Sequence, residues 1–496
     1  MAEGEAGLVP RAVFFRLFPS IALPMFLAAI DQTIVATALP AIAADLGNVE
    51  HVSWVVVAYL MATTIAAPIY GRLGDAYGRR SMLLGALGVF LTGSICCAMA
   101  PSVEALAAAR LLQGFGGGGL MTLSQALVGE TVPPRQRGRF QGYLATVFLC
   151  SSTMGPLLGG LLAQHFGWRS VFLVNLPLVG LAALLALRLA KPTAPGGRLG
   201  AVLDMPGVVI FAMAAPCVLL GLDALRQPTS AHLVAAAILL PAGALLVWLL
   251  LKWEARAAAP LLPIAFIRRP EIWRADAMAL CHGATLISLV SFLPFYLQVV
   301  RGVSPAESGL ILLPLTGGIA IGSVITGQIM SRTGVTMMLS GIGMTLLAAG
   351  LFLLAIMLPN IPTHWLPLWF GLLSPLLGTV MPVVQITVQS AAGRTQLGAA
   401  SSSVQLSRSL GAASGAAITG TLLFAAAAAF AGQGGLAAVV TLLESGSAGA
   451  ASMSESAAAL ARLDLGIAFR VVLGVIGLYA ATSALLAWSN PQRRVV

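Results

Sequence analysis

The sequence predicts an all-α polytopic membrane protein of fourteen transmembrane helices, two six-helix bundles with two extra helices between them, and three observations carry that reading. The chain is 58% hydrophobic and only 9% charged over 496 residues, far from the roughly 45–50% apolar and 25% charged composition of a soluble domain. Its apolar runs recur at the length that crosses a bilayer, about 20 residues for a hydrocarbon core of about 30 Å. Finally, two sets of small-residue motifs repeat along the chain at nearly the same offset. Gly71, Asp75 and Gly78 echo in Gly327, Ser331 and Gly334, displaced by 256, while Gly138, Gly155 and Gly160 recur as Gly398, Gly415 and Gly420, displaced by 260. Independent offsets that agree mark a duplicated unit.

The elements follow in chain order. The first apolar run, 15–40, comes after Arg11 and Arg16 and is too long for a signal-peptide core, so it reads as an uncleaved span. Spans 52–71 and 82–100 flank GRLGDAYGRR (71–80), a tight turn. Spans 103–129 and 139–164 flank a loop carrying Arg135 and Arg137, and 170–188 completes the first bundle, assigned to 1–195. Spans 205–223 and 231–251 are the two additional helices of a linker unit, 196–262. The second bundle, 263–496, holds 275–299, 305–330, 335–357, 364–390, 399–431 and 466–488.

With the N-terminus inside, 20 of the 27 Lys and Arg residues fall on the cytoplasmic side. Only Arg169, Arg226, Arg301, Arg462 and Arg470 fall outside, and Arg110 and Arg408 lie within spans. This asymmetry satisfies the positive-inside rule with both termini cytoplasmic. The net charge of +10 is scattered rather than gathered into a stripe, so no nucleic-acid partner is expected. Cys96, Cys97, Cys150, Cys217 and Cys281 all lie in apolar runs and read as small core hydrophobes. No histidine clusters with acids or cysteines at ligand spacing, so neither a metal nor a catalytic centre is expected. An intramembrane enzyme or a channel would need a catalytic cluster or symmetric assembly, and the chain shows neither. With no nucleotide-binding motif and no cofactor signature, the expected energy source is an ion gradient.

Polar residues inside apolar runs are expensive and point to use. Asp31 stands in AIDQTIVATALP (29–40), near the middle of the first span. In span 4, Arg110, Gln113 and Gly114 share a helix face, with Arg110 at much the same depth as Asp31, so the two are expected to pair. An amide at 31 is expected to relieve the insertion penalty. Span 5 carries GPLLGG (155–160): Gly155 and Gly159 permit helix contact and Pro156 bends the span, with Gly160 beside them. Gln405 and Arg408 stand in span 13 with no acid in their own helix. Trp54, Tyr59, Met154 and Phe295, with the polar groups of Gln113, Gln298, Gln405 and Arg408, are the candidate lining of a cavity.

These residues carry a resemblance. AIDQTIVATALP, GRLGDAYGRR, R-x-x-Q-G at 110–114, GPLLGG and GWRSVFLVNLP (167–177) stand in the order and at the helix positions of motifs of the major facilitator superfamily. Within it, the chain resembles the fourteen-span drug:proton antiporter family over essentially its whole length. The resemblance implies two bundles rocking around a central cavity, exporting lipophilic or amphiphilic compounds (drugs, dyes, cations) against inward-moving protons. It implies that Asp31 is the proton-linked carboxylate with Arg110 its partner. Gly71, Asp75, Gly78, Arg79 and Arg80 become a cytoplasmic gate, and Gly155, Pro156, Gly159 and Gly160 a hinge. Ser331 in place of a second Asp implies an asymmetric gate. Gln405 and Arg408, where some relatives carry acids, leave neutral or anionic amphiphiles open as cargo. The expected setting is a monomer in the bacterial cytoplasmic membrane. The loop 432–463 is the candidate docking segment for a periplasmic adaptor and outer-membrane channel. A same-fold exporter of one lipid, siderophore, peptide or metabolite is the alternative.

Overall fold

A chain in hydrocarbon satisfies its backbone N–H and C=O groups within the segment itself, which selects helices. The computed structural model describes residues 11–47, 52, 54–189, 203–225, 230–261, 264–431, 438, 441 and 455–494, and their regular structure is helical. The first bundle holds α1 (Arg11–Leu46), α2 (Trp54–Tyr77), α3 (Arg79–Ala98), α4 (Val103–Thr131) and α5 (Pro134–Phe166). Its last crossing is broken into α6 (Ser170–Leu173) and α7 (Asn175–Ala186). Next come α8 (Met205–Ala224) and α9 (Ser230–Glu254), which pack on each other. The second bundle holds α10 (Pro270–Phe295), which runs into a π-turn at Tyr296–Val300, then α11 (Pro305–Thr333) and α12 (Met337–Met357). A broken crossing of α13 (Leu366–Leu377) and α14 (Val380–Ala392) follows, then α15 (Leu397–Phe430) and α16 (Glu455–Ser489).

Among the described residues, twelve segments are long and apolar enough to cross a bilayer. The other two of the fourteen expected are α4, in which Gln113, Gln125 and the run Gly116 to Gly119 dilute an apolar stretch, and the shorter pair α6–α7. In α4 the glycines serve packing. Gly114 and Gly118 lie against the backbone carbonyls of Tyr59 and Thr63 in α2, while Gly116 lies against the backbone of Phe90 in α3. The helix is thereby sandwiched at the centre of its bundle, where small residues let backbones approach.

The largest departure from the expected spans is at the end of the chain. α16 begins at Glu455, so residues 455–463, expected in an outer loop, are helical. Most of the rest of that expected loop, Ser447 included, lies outside the described residues, as do the expected domain boundaries at 195–196 and 262–263 and both chain ends. The break between α13 and α14 at Gly378 has a packing reason. The Gly378 backbone lies against Ile319 and Ser323 of α11, and its carbonyl accepts a 2.8 Å hydrogen bond from Ser323 Oγ.

The second bundle packs around one apolar core and the first around two, and the extra pair adds a smaller one. Phe211 and Ala215 of α8 and Leu250 of α9 cluster with Ile69 of α2, and Leu406 of α15 packs against them. The extra helices therefore cover the line along which α2 of one bundle meets α15 of the other.

Candidate functional site

Five crossings converge on Asp31. The carboxylate is fully buried, 0% exposed, and Arg110 is 1% exposed. Arg110 Nη1 donates to Asp31 Oδ2 at 2.5 Å and to Gln113 Oε1 at 2.7 Å. Gln113 Nε2 donates to Asp31 Oδ1 at 2.9 Å and to Ser94 Oγ at 2.9 Å. Asn175 Nδ2 donates to Asp31 Oδ1 at 3.0 Å. Arg110 Nε reaches the Val55 carbonyl at 3.2 Å, and its guanidinium lies 4.0 Å from the Tyr59 ring centroid. Tyr59 in turn donates to the Ala28 carbonyl at 3.1 Å. A buried charge persists when it is paired and its remaining lone pairs are filled, and here three donors fill a single carboxylate.

The expected Asp31–Arg110 pair is thus in direct contact. Gln113 and Tyr59, read from sequence as cavity lining, are placed inside this sealed cluster. Ser94 and Asn175 were not anticipated; each is a single polar residue in an apolar run, but only the fold brings them to Asp31. The geometry sets a cost against the insertion penalty that an amide at 31 is expected to relieve. Its NH2 group would face the donors of Arg110, Gln113 or Asn175, and the guanidinium would lose its counterion.

A second assembly joins the two bundles at the opposite end of α2. Asp75 accepts from Arg79 Nη2 at 2.5 Å, from the Gly398 N–H at 2.9 Å and from the Ala399 N–H at 3.2 Å. These two N–H groups belong to the first turn of α15, whose partial positive charge favours a carboxylate. Arg79 Nη1 also donates to Glu130 Oε2 at 2.6 Å. Arg80 stands half-buried beside it, and Gly78, at φ 89°, ends α2 in a conformation that favours glycine.

The repeat is visible in the same region. Gly71 lies against the Gly398 backbone, and Gly138 lies against the Gly327 backbone. The offsets of 256 and 260 carry Gly71 to Gly327 and Gly138 to Gly398. The two motif echoes are therefore the two partners of one contact and its image: α2 against α15, and α5 against α11. A side chain at any of the four positions would meet backbone, so the bundles close here through glycine. Gln389 Nε2 adds a 2.9 Å bond to the Gln125 carbonyl across the same interface.

On α5, Gly155 packs on Thr33 and Ile34, and Gly159 packs on Ile34 and Thr37 of α1. Pro156 is exposed, and a side chain at Gly160 would meet open space. Trp54 and Met154 are exposed; Phe295 stacks on Phe469 in the second bundle with centroids 6.1 Å apart; Gln298 lies half-buried in the π-turn. Gln405 and Arg408 reach from α15 toward the first bundle. Gln405 donates to Met121 Sδ at 3.7 Å, while Arg408 bonds Gln405 and stands 5.8 Å from the Phe148 ring centroid. Arg408 forms no ion pair among the described residues.

A further buried acid escaped the sequence reading. Asp276 of α10 is 7% exposed and accepts one bond, from Ser403 Oγ at 3.3 Å. His282 of the same helix is buried with no partner at Nδ1 among the described residues. A charged residue inside ADAMALCHG (275–283) was signal enough to find Asp276. No group of three or more metal-ligating side chains occurs among the described residues.

The chain is similar to known proteins along most of its length. A family profile described as the Major Facilitator Superfamily matches residues 21–416. An uncharacterised MFS-type transporter of Mycobacterium tuberculosis is 34% identical over 411 residues, 82% of this chain and 59% of the relative. The multidrug transporter protein MdtP of Bacillus subtilis is 28% identical over 416 residues, 82% of this chain and 75% of that protein. The chain thus spans about three fifths of the length of the first curated relatives it matches. Among solved structures, the human organic anion transporter MFSD10 shares the fold with a TM-score of 0.63 at 15% identity, covering 97% of this chain and 100% of that one. The proton:xylose symporter XylE does so with a TM-score of 0.62 at 15% identity, covering 97% and 96%. The profile match, the duplicated bundles and the motif residues meeting across them agree: the chain is a multi-pass membrane protein that belongs to the major facilitator superfamily.

Proposed function

We propose that this protein exports lipophilic or amphiphilic compounds across the bacterial cytoplasmic membrane in exchange for protons, by alternating access between the two bundles. The observation that carries the reading is the Asp31 cluster: a membrane-buried carboxylate, sealed from water, held by Arg110, Gln113 and Asn175 from two other crossings. A carboxylate whose hydration and distance from a cation differ between two facing states binds a proton differently in each, and that difference is the coupling free energy. Rocking at the α1–α5 contact through Gly155 and Gly159 moves the helix that carries Asp31, which gives the two events a shared part.

The gate reading rests on the other assembly. The Asp75 contact with the first turn of α15, the two glycine contacts and the Gln389–Gln125 bond are among the interactions that must break when the bundles part at this end. The arginine count supports reading it as the cytoplasmic end, with both termini on the same side. The names of the multidrug transporter MdtP and of the efflux pump LUC4 of Fusarium sp., 33% identical over 331 residues, support export as the direction. Arg408, without an acidic partner among the described residues, favours neutral or anionic amphiphiles at the second-bundle wall. The protein acts as a monomer with no cofactor, and the segment around 432–463 is where an envelope adaptor would dock.

Dye efflux and drug susceptibility in an efflux-deficient host test the proposal. Expression should lower dye accumulation and raise tolerance to several unrelated amphiphiles, and a protonophore should abolish both effects. Efflux that persists with the gradient collapsed would contradict proton coupling, and protection against a single compound would favour a dedicated exporter.

A further inference from the structure

A cavity on the flank of the first bundle lies outside both assemblies. It measures about 840 Å³ and runs between α1, α5 and α7, within the roughly 300–1,000 Å³ of small-molecule sites. Its polar lining is concentrated at one end, in the first turns of α5. There Arg139 Nε donates to Tyr143 Oη at 2.7 Å, with the guanidinium 5.5 Å from the ring centroid, so the aromatic ring holds the cation at the mouth. Phe18 of α1 packs edge-on against Tyr143 at 5.8 Å and closes the floor. Beyond Tyr143 the walls are mostly apolar, with Phe26, Val147 and Leu185, and the groove is open on the side where Leu181 and Cys150 are exposed.

Two features select the occupant. From Arg139 to Cys150 is eleven residues of helix, about 16 Å at 1.5 Å per residue, or roughly half of a 30 Å hydrocarbon core. The groove is one leaflet deep. It also contains a cation at its polar end and no Asp or Glu among its lining residues, so a cationic amphiphile finds no counter-charge there. We propose that it binds one anionic phospholipid of the leaflet at the Asp75 end, with the phosphate on Arg139 and an acyl chain along Phe26 and Val147. α5 also carries the Gly138 contact with Gly327, so the lipid sits on a helix of the interface between the bundles. This site is separate from the export reading and does not depend on it.

Native mass spectrometry of the purified full chain, exchanged into equimolar phosphatidylglycerol and phosphatidylcholine with identical acyl chains, tests the site. The wild-type protein should retain one phosphatidylglycerol, preferred about fivefold over phosphatidylcholine, as one arginine near an anionic headgroup implies. Arg139→Gln should remove the preference and Arg139→Lys should keep it, which separates loss of charge from loss of fold. Cys150→Trp, which fills the apolar end, should remove retention of both lipids. Equal retention by the wild-type protein, a preference that survives Arg139→Gln, or lipid retention that survives Cys150→Trp would overturn the proposal. Displacement by glycerol phosphate alone would show a phosphate site, and displacement by an exported dye would show a cargo site; either result overturns it too.

Discussion

Asp31 and Asp276 are both buried acids in membrane-spanning helices, and their surroundings predict opposite responses to the same substitution. Asp31 accepts from Arg110, Gln113 and Asn175. Asp31→Asn turns a donor toward donors and leaves Arg110 buried without its counterion, a loss of about 3–5 kcal/mol for a broken buried pair. Its thermal unfolding in detergent should therefore drop clearly below wild type. Asp276 accepts a single bond from Ser403, which an amide oxygen accepts equally well, and the amide removes a charge from hydrocarbon. Asp276→Asn should leave thermal stability unchanged or raised; a drop comparable to that of Asp31→Asn would mean that Asp276 has a charged partner. Asp31 and Arg110 were legible in the sequence because a charge in an apolar run announces itself. Asn175 and Ser94 were not, because nothing in a single helix says which neutral polar residue turns toward the acid. Separations of 144 and 63 residues from Asp31 are closed only by the bundle.

At the scale of elements, the α2–α15 junction combines a charge with a helix end. Asp75→Asn keeps the shape and one acceptor oxygen but loses the charge that Arg79 and the first turn of α15 share. Such a change weakens one facing state and leaves the cavity untouched. Turnover in proteoliposomes should fall while equilibrium binding of substrate stays close to wild type. Loss of binding in a well-folded variant would place Asp75 in the substrate site. Sequence spacing located this turn and its glycines. It did not reveal that the acceptor of Asp75 would be the first turn of α15, because that contact spans 323 residues and depends on where α15 begins. The same reasoning explains the broken crossing α13–α14: hydropathy registers length, while the break follows from what the Gly378 backbone packs against.

For the whole molecule, the repeat makes a prediction that no single element does. Gly71 and Gly327 occupy equivalent positions in the two halves, and each meets a glycine of the opposite bundle. If the bundles move as rigid bodies, a side chain at either position separates the same closed end. Gly71→Val and Gly327→Val should each raise labelling of a cysteine placed at Ser402 by an impermeant maleimide in inside-out vesicles. The double variant should add little beyond either single one, because contacts opened by one motion do not contribute independently. Labelling that rises for one variant alone would show that the halves hinge separately. The bundles, the extra pair and the duplication were all legible, since bilayer thickness rations helix length and glycine spacing survives in the copy. The position of α8 and α9 over the α2–α15 line was not, because an apolar helix in lipid carries no mark of which neighbour it covers.

The central claim, that Asp31 exchanges a proton as the bundles exchange facing states, is tested most directly by substrate-induced proton release. Purified protein in weakly buffered detergent, with a pH indicator present, should release protons when an exported amphiphile is added. The Asp31→Asn protein, shown to be folded and to bind the same compound, should release none. Proton release of equal size from the Asp31→Asn protein would contradict the account and make the buried pair a structural one.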